Sequence, residues 1–460
     1  MLSNFFGFKS TKQIVDTIIN PEWIIPIIPK GKILKETSII LKNGLIHDIL
    51  PTKEAQTRYT TKNKKQNHFL KNQAVIPGLI NGHVHTAMTL LRGYADDYPL
   101  EKWLFSFMFP AEKEFMNEEF VRDGTRIGIA EMIRTGTTTA IDMYDHPNAI
   151  VEATKQTGIR MAVSYPIHQI ERGHKSENSE ELFFRQFKHN PLIFPIYGPH
   201  STYTVPENEL KRITATGERI TIHLHETKKE VENFVNKHGI RPVEFLRKMG
   251  MLNSNCITVH MTQLLDSEIK LLAQTQTTVA HCPQSNMKLC SGICRVQDLL
   301  DSGVNVCLGT DGTASNNDLD MFDEMKTASL LGKIGSNKPD ALTAQTVLEM
   351  ATINGAKALG KEDLIGSVTK GKMADLVSVD LYNLQSQPVY DPISQIVYCG
   401  NGQRVSNVWV AGQQLLSNKV LCTIDLKDCF KLIKKWQKKI SRFRNENLKK
   451  IKEKENKTKK

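Results

Sequence analysis

Between residues 74 and 360, eight short apolar runs alternate with stretches of helical pattern. The runs end near His85, Tyr144, Pro166, His200, Glu226, Met261, Cys282 and Asp311. A short apolar run of this kind suits a strand covered on both faces, and parallel strands need crossover helices between them. Helices predicted over residues 117–135, 230–249 and 317–334 supply such crossovers. Eight βα units in one chain predict the α/β class and a closed parallel (β/α)8 barrel of the TIM type. The chain has 460 residues, more than the barrel needs. Residues 14–52 read as short strands, with a hairpin expected at Asn43-Gly44, and a Lys/Asn/Gln-rich loop follows over residues 60–67. Strand texture returns at residues 374–379 and 405–410. Strands at both ends of a barrel predict that the terminal segments pair into a small β-sandwich domain. The expected boundaries are 11–75 and 365–424 for that domain, 76–364 for the barrel, and 425–460 for a basic C-terminal helix and tail.

The net charge of +11 does not describe the body of the protein. Residues 425–460 hold 13 Lys and 2 Arg against 2 Asp and 3 Glu, an excess of 10. The body is therefore near neutral, and the charge argues for no nucleic-acid partner. Leu426, Phe430, Ile433, Trp436, Ile440 and Phe443 recur at helical spacing, and beyond them, where Leu448 and Ile451 read as out of step, a frayed, solvated end is expected. The 8 Cys form no C-x-x-C pair, so free thiols in a cytoplasmic setting are expected. Cys282, Cys290 and Cys294 match no zinc spacing. No secretory signal is read in residues 1–15, and the apolar run at 23–29 is broken by Pro26 and Pro29, so no membrane segment is expected.

Barrel enzymes draw their reactive groups from the C-terminal ends of the strands. The expected strand ends carry His83 and His85, then Glu112 on a following loop, His200, His223 with Glu226, His260 and Asp311. A single His at a strand end is ordinarily a satisfied polar residue. Five at the ends of four strands point to a shared site. Residues i and i+2 of a strand face one way, so His83 and His85 can address one ion. His223 adds a third nitrogen and Asp311 a carboxylate. That donor set suits one zinc per subunit, with iron also acceptable. A two-metal centre commonly uses a modified Lys at strand four, and Ile196-Tyr197-Gly198-Pro199-His200 contains none. In this arrangement Asp311 can accept a proton from an activated water, His260 can orient that water, and Glu226 can protonate a ring nitrogen of the substrate.

Pro77-Gly78-Leu79-Ile80-Asn81-Gly82-His83-Val84-His85 resembles the opening barrel strand of the amidohydrolase superfamily. The likeness continues through Leu90-Leu91-Arg92-Gly93, Gly198-Pro199-His200, Ile222-His223-Leu224-His225-Glu226-Thr227, Val259-His260-Met261, Ser285-Asn286-Met287-Lys288-Leu289, residues 309–317 and residues 371–377. Within that superfamily the chain is most similar to the methylthioadenosine/S-adenosylhomocysteine deaminases of the triazine-hydrolase-like branch. The resemblance implies a zinc-dependent hydrolytic deaminase of adenine nucleosides, a homo-oligomer, with His83, His85 and His223 as ligands and Asp311 beside the attacking water. It implies Glu226 as the proton donor to the purine, His260 as the group polarising the water, Glu112 and His200 on the ribose hydroxyls, and Trp103 near the substrate. Relatives that accept S-adenosylhomocysteine place an Arg at the end of strand three; Tyr165 aligns there, with Arg172 nearby. Methylthioadenosine or a plainer adenosine is therefore the expected substrate, ahead of S-adenosylhomocysteine. The alternatives are another heterocycle amidohydrolase, against which the Glu112 and His200 pair argues, and an inactive barrel scaffold, which would lack the ligands present here.

Overall fold

The computed structural model describes residues 12–167 and 179–458. Eight parallel strands follow one another round the barrel in chain order. They are β1 (Leu79–Val84), β2 (Thr137–Asp142), β3 (Arg160–Ile167), β4 (Ile193–Pro199), β5 (Ile220–Leu224), β6 (Cys256–His260), β7 (Thr278–His281) and β8 (Val306–Leu308). The barrel is nearly closed: just past β8, Gly309 N–H donates to His281 O of β7 at 2.9 Å, and Asp311 N–H crosses the seam to His83 O of β1 at 3.0 Å. Glycine makes this approach possible. A Cβ on Gly82 would stand 2.6 Å from Cys307 Sγ, and one on Gly309 would stand 2.7 Å from His83 N.

The crossover helices start and stop for local reasons. Asn117 caps Glu118–Arg134 by accepting from Phe120 N–H at 2.9 Å. The helix expected over 230–249 is two helices, Lys228–His238 and Pro242–Lys248. Gly239 takes a left-handed φ of 72° to end the first, and Pro242 opens the second. Thr227 and Glu230 form a capping box, which moves the start of the first helix ahead of its expected position. Met321–Ser336 occupies the third predicted stretch, capped by Asp320.

The terminal segments meet as expected. Leu376–Asp380 pairs antiparallel with Asn67–Pro77 in the middle of a mixed eight-stranded sheet. The Asn-Gly hairpin joins Thr37–Lys42 to Leu45–Pro51, with φ of 53° and 78° at Asn43 and Gly44. Thr52–Arg58 is a short helix that the sequence reading did not resolve. Arg160, on β3, is fully buried and grips Asp375, just ahead of the Leu376–Asp380 strand, in a fork: Nε to Oδ2 at 3.0 Å and Nη2 to Oδ1 at 2.9 Å. This pair ties the barrel to the small sheet.

The C-terminal helix runs from Leu426 to Thr458, well past the expected fray. Trp436 is buried and donates from Nε1 to Asp123 at 2.9 Å. Leu448 and Ile451 pack against the core. Ile440, Arg444, Asn447, Leu448 and Ile451 share one face at a 3.6-residue period, so these positions are in step and not out of it. Among the described residues no helix is long and apolar enough to cross a membrane.

Replacing Asp375 by Ala leaves the Arg160 guanidinium buried without a counter-charge. Losing one partner of a buried pair costs about 3–5 kcal/mol. Urea unfolding of Asp375→Ala should show a loss of that size, and an unchanged midpoint would refute this role for the pair.

Candidate active site

Every expected strand end delivers its residue to one mouth of the barrel. His83 lies within β1 and His85 one residue beyond it, with ring centroids 4.7 Å apart. His223 comes from β5, His260 ends β6, and Asp311 lies three residues past β8. His83 Nε2 is 3.1 Å from His223 Nε2. Asp311 Oδ1 is 3.4 Å from His83 Nε2 and 3.2 Å from His85 Nε2. His260 and Asp311 hold left-handed φ values of 76° and 61°, a conformation non-glycine residues seldom adopt and which is common at functional sites.

Partners on the far side of two rings fix where their protons sit. His223 Nδ1 faces His200 O at 2.7 Å, and His85 Nδ1 faces Met143 O. Carbonyl oxygens can only accept, so both Nδ1 atoms carry hydrogen and the Nε2 atoms are the ones left to face the centre. Burial pushes His83 down to about 4 and His223 well below the ordinary imidazole range, so both rings stay neutral. Burial works against the Asp311 carboxylate, but its contacts with His83 and His85 outweigh it and hold the group well below its usual range. One ligand atom from each of His83, His85, His223 and Asp311 falls within 4.8 Å of all the others. Three imidazoles and one ionised carboxylate, converging in a buried pocket, fit a single metal ion.

A second ring of residues, to which the sequence reading gave no role, orients the first. Ser285 Oγ and Ser315 Oγ both donate to Asp311 Oδ2, at 2.7 and 2.8 Å, which turns Oδ1 toward the imidazoles. Asn286 Oδ1 is 2.9 Å from His260 Nδ1 and leaves Nε2 facing inward. Ser285-Asn286 is visible as a motif, but nothing in its spacing says that it reaches Asp311 and His260.

A cavity of about 410 Å³ opens beside this centre. His85, His223, His260, Glu226 and Asp311 line its floor. Glu226 lies with Oε2 3.8 Å from His260 Nε2, and burial pushes its carboxyl upward. Glu112 and His200 line the cavity too. Glu112 belongs to the helix Phe109–Phe115 and not to a loop, and its Oε1 accepts from Tyr144 O–H at 3.0 Å. His200 Nδ1 is 3.1 Å from Thr204 Oγ1. Trp103 is buried in the same wall, and its indole N–H has no partner among the described residues. Tyr165 differs from expectation. Alternation along β3 turns Ser164 and Pro166 to the cavity, while Tyr165 packs on Phe183 and its hydroxyl lies 2.9 Å from Ser179 Oγ. Tyr165 therefore does not stand where a substrate group would meet it. Arg172 lies outside the described residues.

A model of the amidohydrolase family matches residues 74–415. A 5-methylthioadenosine/S-adenosylhomocysteine deaminase of Teredinibacter turnerae is 41% identical over 436 residues, spanning 93% of this chain and 98% of that protein. One of Saccharophagus degradans is 40% identical, spanning 94% and 98%. Among solved structures, a zinc-bound adenosine deaminase from Xanthomonas campestris superposes with a TM-score of 0.90 at 38% identity, covering 94% of this chain and all of that one. A zinc-bound atrazine chlorohydrolase of Arthrobacter aurescens, at 21% identity and a TM-score of 0.82, shares the fold. Matched along nearly its whole length and carrying the four-residue metal cluster, the chain belongs to the amidohydrolase family and, within it, to the methylthioadenosine/S-adenosylhomocysteine deaminases.

Proposed function

We propose that the protein hydrolytically deaminates 5′-methylthioadenosine and related adenine nucleosides, giving the inosine analogue and ammonia. The observation that carries this reading is the pairing of two carboxylates with opposite tendencies, Asp311 and Glu226, beside a four-ligand cluster in a cavity that also presents Glu112 and His200. The names of the relatives in Teredinibacter and Saccharophagus support the substrate class. One zinc held by His83, His85, His223 and Asp311 would lower the pKa of a water from 15.7 to about 7 and so supply the nucleophile at neutral pH. Iron satisfies the same donor set. Eight free cysteines suit a reducing cytoplasm.

The chain's own groups carry the protons. Asp311 Oδ1 accepts the proton of the attacking water, held ready by Ser285 and Ser315 on Oδ2. His260 Nε2 orients that water. Glu226, whose carboxyl burial pushes upward, gives a proton to the purine ring nitrogen as the water oxygen bonds to the amine-bearing carbon. The proton on Asp311 then passes to the amine, the carbon–nitrogen bond breaks and ammonia leaves, while the remaining hydroxyl proton is released as the product carbonyl forms and a proton returns to Glu226. Glu112 and His200 accept or donate at the ribose hydroxyls. A heterocycle without ribose would leave that pair unused, which disfavours a triazine or guanine substrate.

The wall formed by Leu100, Trp103, Leu104, Phe105 and Phe109 is apolar. It suits the methyl thioether of methylthioadenosine better than the charged amino-acid chain of S-adenosylhomocysteine, whose charges need charged partners.

Three measurements test this reading. His85→Ala should remain folded by circular dichroism but purify with little metal and little turnover; full metal occupancy at normal rate would remove His85 from the ligand set. Glu226→Gln should keep its metal and lose about 10²–10⁴-fold in kcat, because an amide cannot supply the proton; loss of metal instead would make Glu226 a ligand. Ammonia release should favour methylthioadenosine over S-adenosylhomocysteine by about tenfold or more in kcat/KM, the equivalent of ~1.4 kcal/mol. Equal efficiency would place a cation at the 5′ end of the cavity, and Arg172 would be the residue to replace first.

A further inference from the structure

The roof of the cavity is built from one segment, residues 94–116, and it is fastened from outside the barrel. Trp103, Leu104, Phe105, Phe109 and Glu112 of this segment line the cavity. The segment contains an irregular turn, Leu104–Met108, followed by the helix Phe109–Phe115. Pro110 interrupts the backbone ladder here. It has no N–H to offer the carbonyl of Ser106 four residues earlier. Asn447 of the C-terminal helix supplies a donor, with Nδ2 2.8 Å from Ser106 O. Arg444, one turn earlier on the same face, donates from Nε to Tyr94 O at 2.7 Å. Phe443 packs edge-on against Phe115, with centroids 5.3 Å apart. The helix thus holds the roof at its start, middle and end, from residues that lie beyond the 74–415 family match.

We infer that Asn447 and Arg444 are positioning residues for substrate binding: they set the roof over the nucleoside, and their loss weakens binding without touching the metal chemistry. This rests on the proposed substrate in its kinetic arm only. The roof contributes no metal ligand: His83, His85, His223 and Asp311 all come from the strand ends of the barrel. A loosened roof should therefore raise KM and leave kcat near its original value.

Asn447→Ala and Arg444→Ala should each raise KM for methylthioadenosine by about three- to tenfold, the range expected for one buried hydrogen bond, with kcat within about twofold and metal content unchanged. Asn447→Gln, which keeps a donor, should recover part of the loss. Hydrogen–deuterium exchange without substrate should be faster over residues 100–109 in both alanine variants. Lys435→Ala is the control: it removes contacts to Glu119 at 2.6 Å and Asp123 at 3.1 Å on the same helix without facing the roof. It should lower the melting temperature with no change in KM or in exchange at 100–109. Unchanged exchange over residues 100–109 in Asn447→Ala and Arg444→Ala overturns the inference, as does an equal KM rise in Lys435→Ala. If the unmodified enzyme does not turn over methylthioadenosine, the substrate reading fails, and the exchange measurement alone decides the role of the helix.

Discussion

The approach of β8 to β1 is the constraint on which the site depends. Asp311 belongs to the last strand of the barrel and His83 and His85 to the first, so nothing in local sequence brings them together. The hydrogen bond from Asp311 N–H to His83 O sets the register of that junction. Gly82 and Gly309 let the two backbones come close enough to form it, since a methyl group at either would meet backbone or sulfur under 3 Å away. The left-handed turn at Asp311 then swings its carboxylate inward against both imidazoles. Closing the barrel and assembling the ligand cluster are the same event. A barrel left open at this seam would have a loose wall and two ligands without their carboxylate.

The eight strands and their order were legible because each is a short apolar run followed by a stretch of helical pattern. The ligand set was legible because strand alternation and strand-end placement are simple geometry. What stayed hidden shares one cause: it depends on contacts between elements far apart in the chain. Ser285 reaches Asp311 from the short helix Pro283–Lys288 and Ser315 from the turn after β8, and neither spacing nor residue type announces it. Tyr165 was misplaced because strand three could be aligned by its end but not by its face; Ser164 and Pro166 took the inward positions. The C-terminal helix was underestimated for a related reason. Its Lys-rich composition reads as solvated tail, yet a buried Asn447 and half-buried Leu448 and Ile451 form a packed stripe among those charges. A composition average conceals a face that is only one residue in three or four.

The two reactive carboxylates are buried in the same cavity, and burial alone would raise both. Their neighbours separate them. Asp311 meets two imidazoles and two hydroxyl donors, all of which favour its charged form, and it is held low. Glu226 meets one imidazole at 3.8 Å and a weak contact from Ser291 at 3.5 Å, while the charge on Asp311 opposes its own ionisation, and it is held high. The two carboxyls are thus pushed in opposite directions, as the proposed pairing of a base with an acid requires, without either needing an unusual residue type. Hydrolysis of an amidine-like carbon needs both at once, a proton removed from water and a proton delivered to the ring. Burial is the main cause of the rise at Glu226 and the charge on Asp311 adds to it, so a change that neutralises Asp311 removes part of that rise. The acid and the base are coupled through their own repulsion, and the seam that positions Asp311 therefore conditions the proton on Glu226 as well.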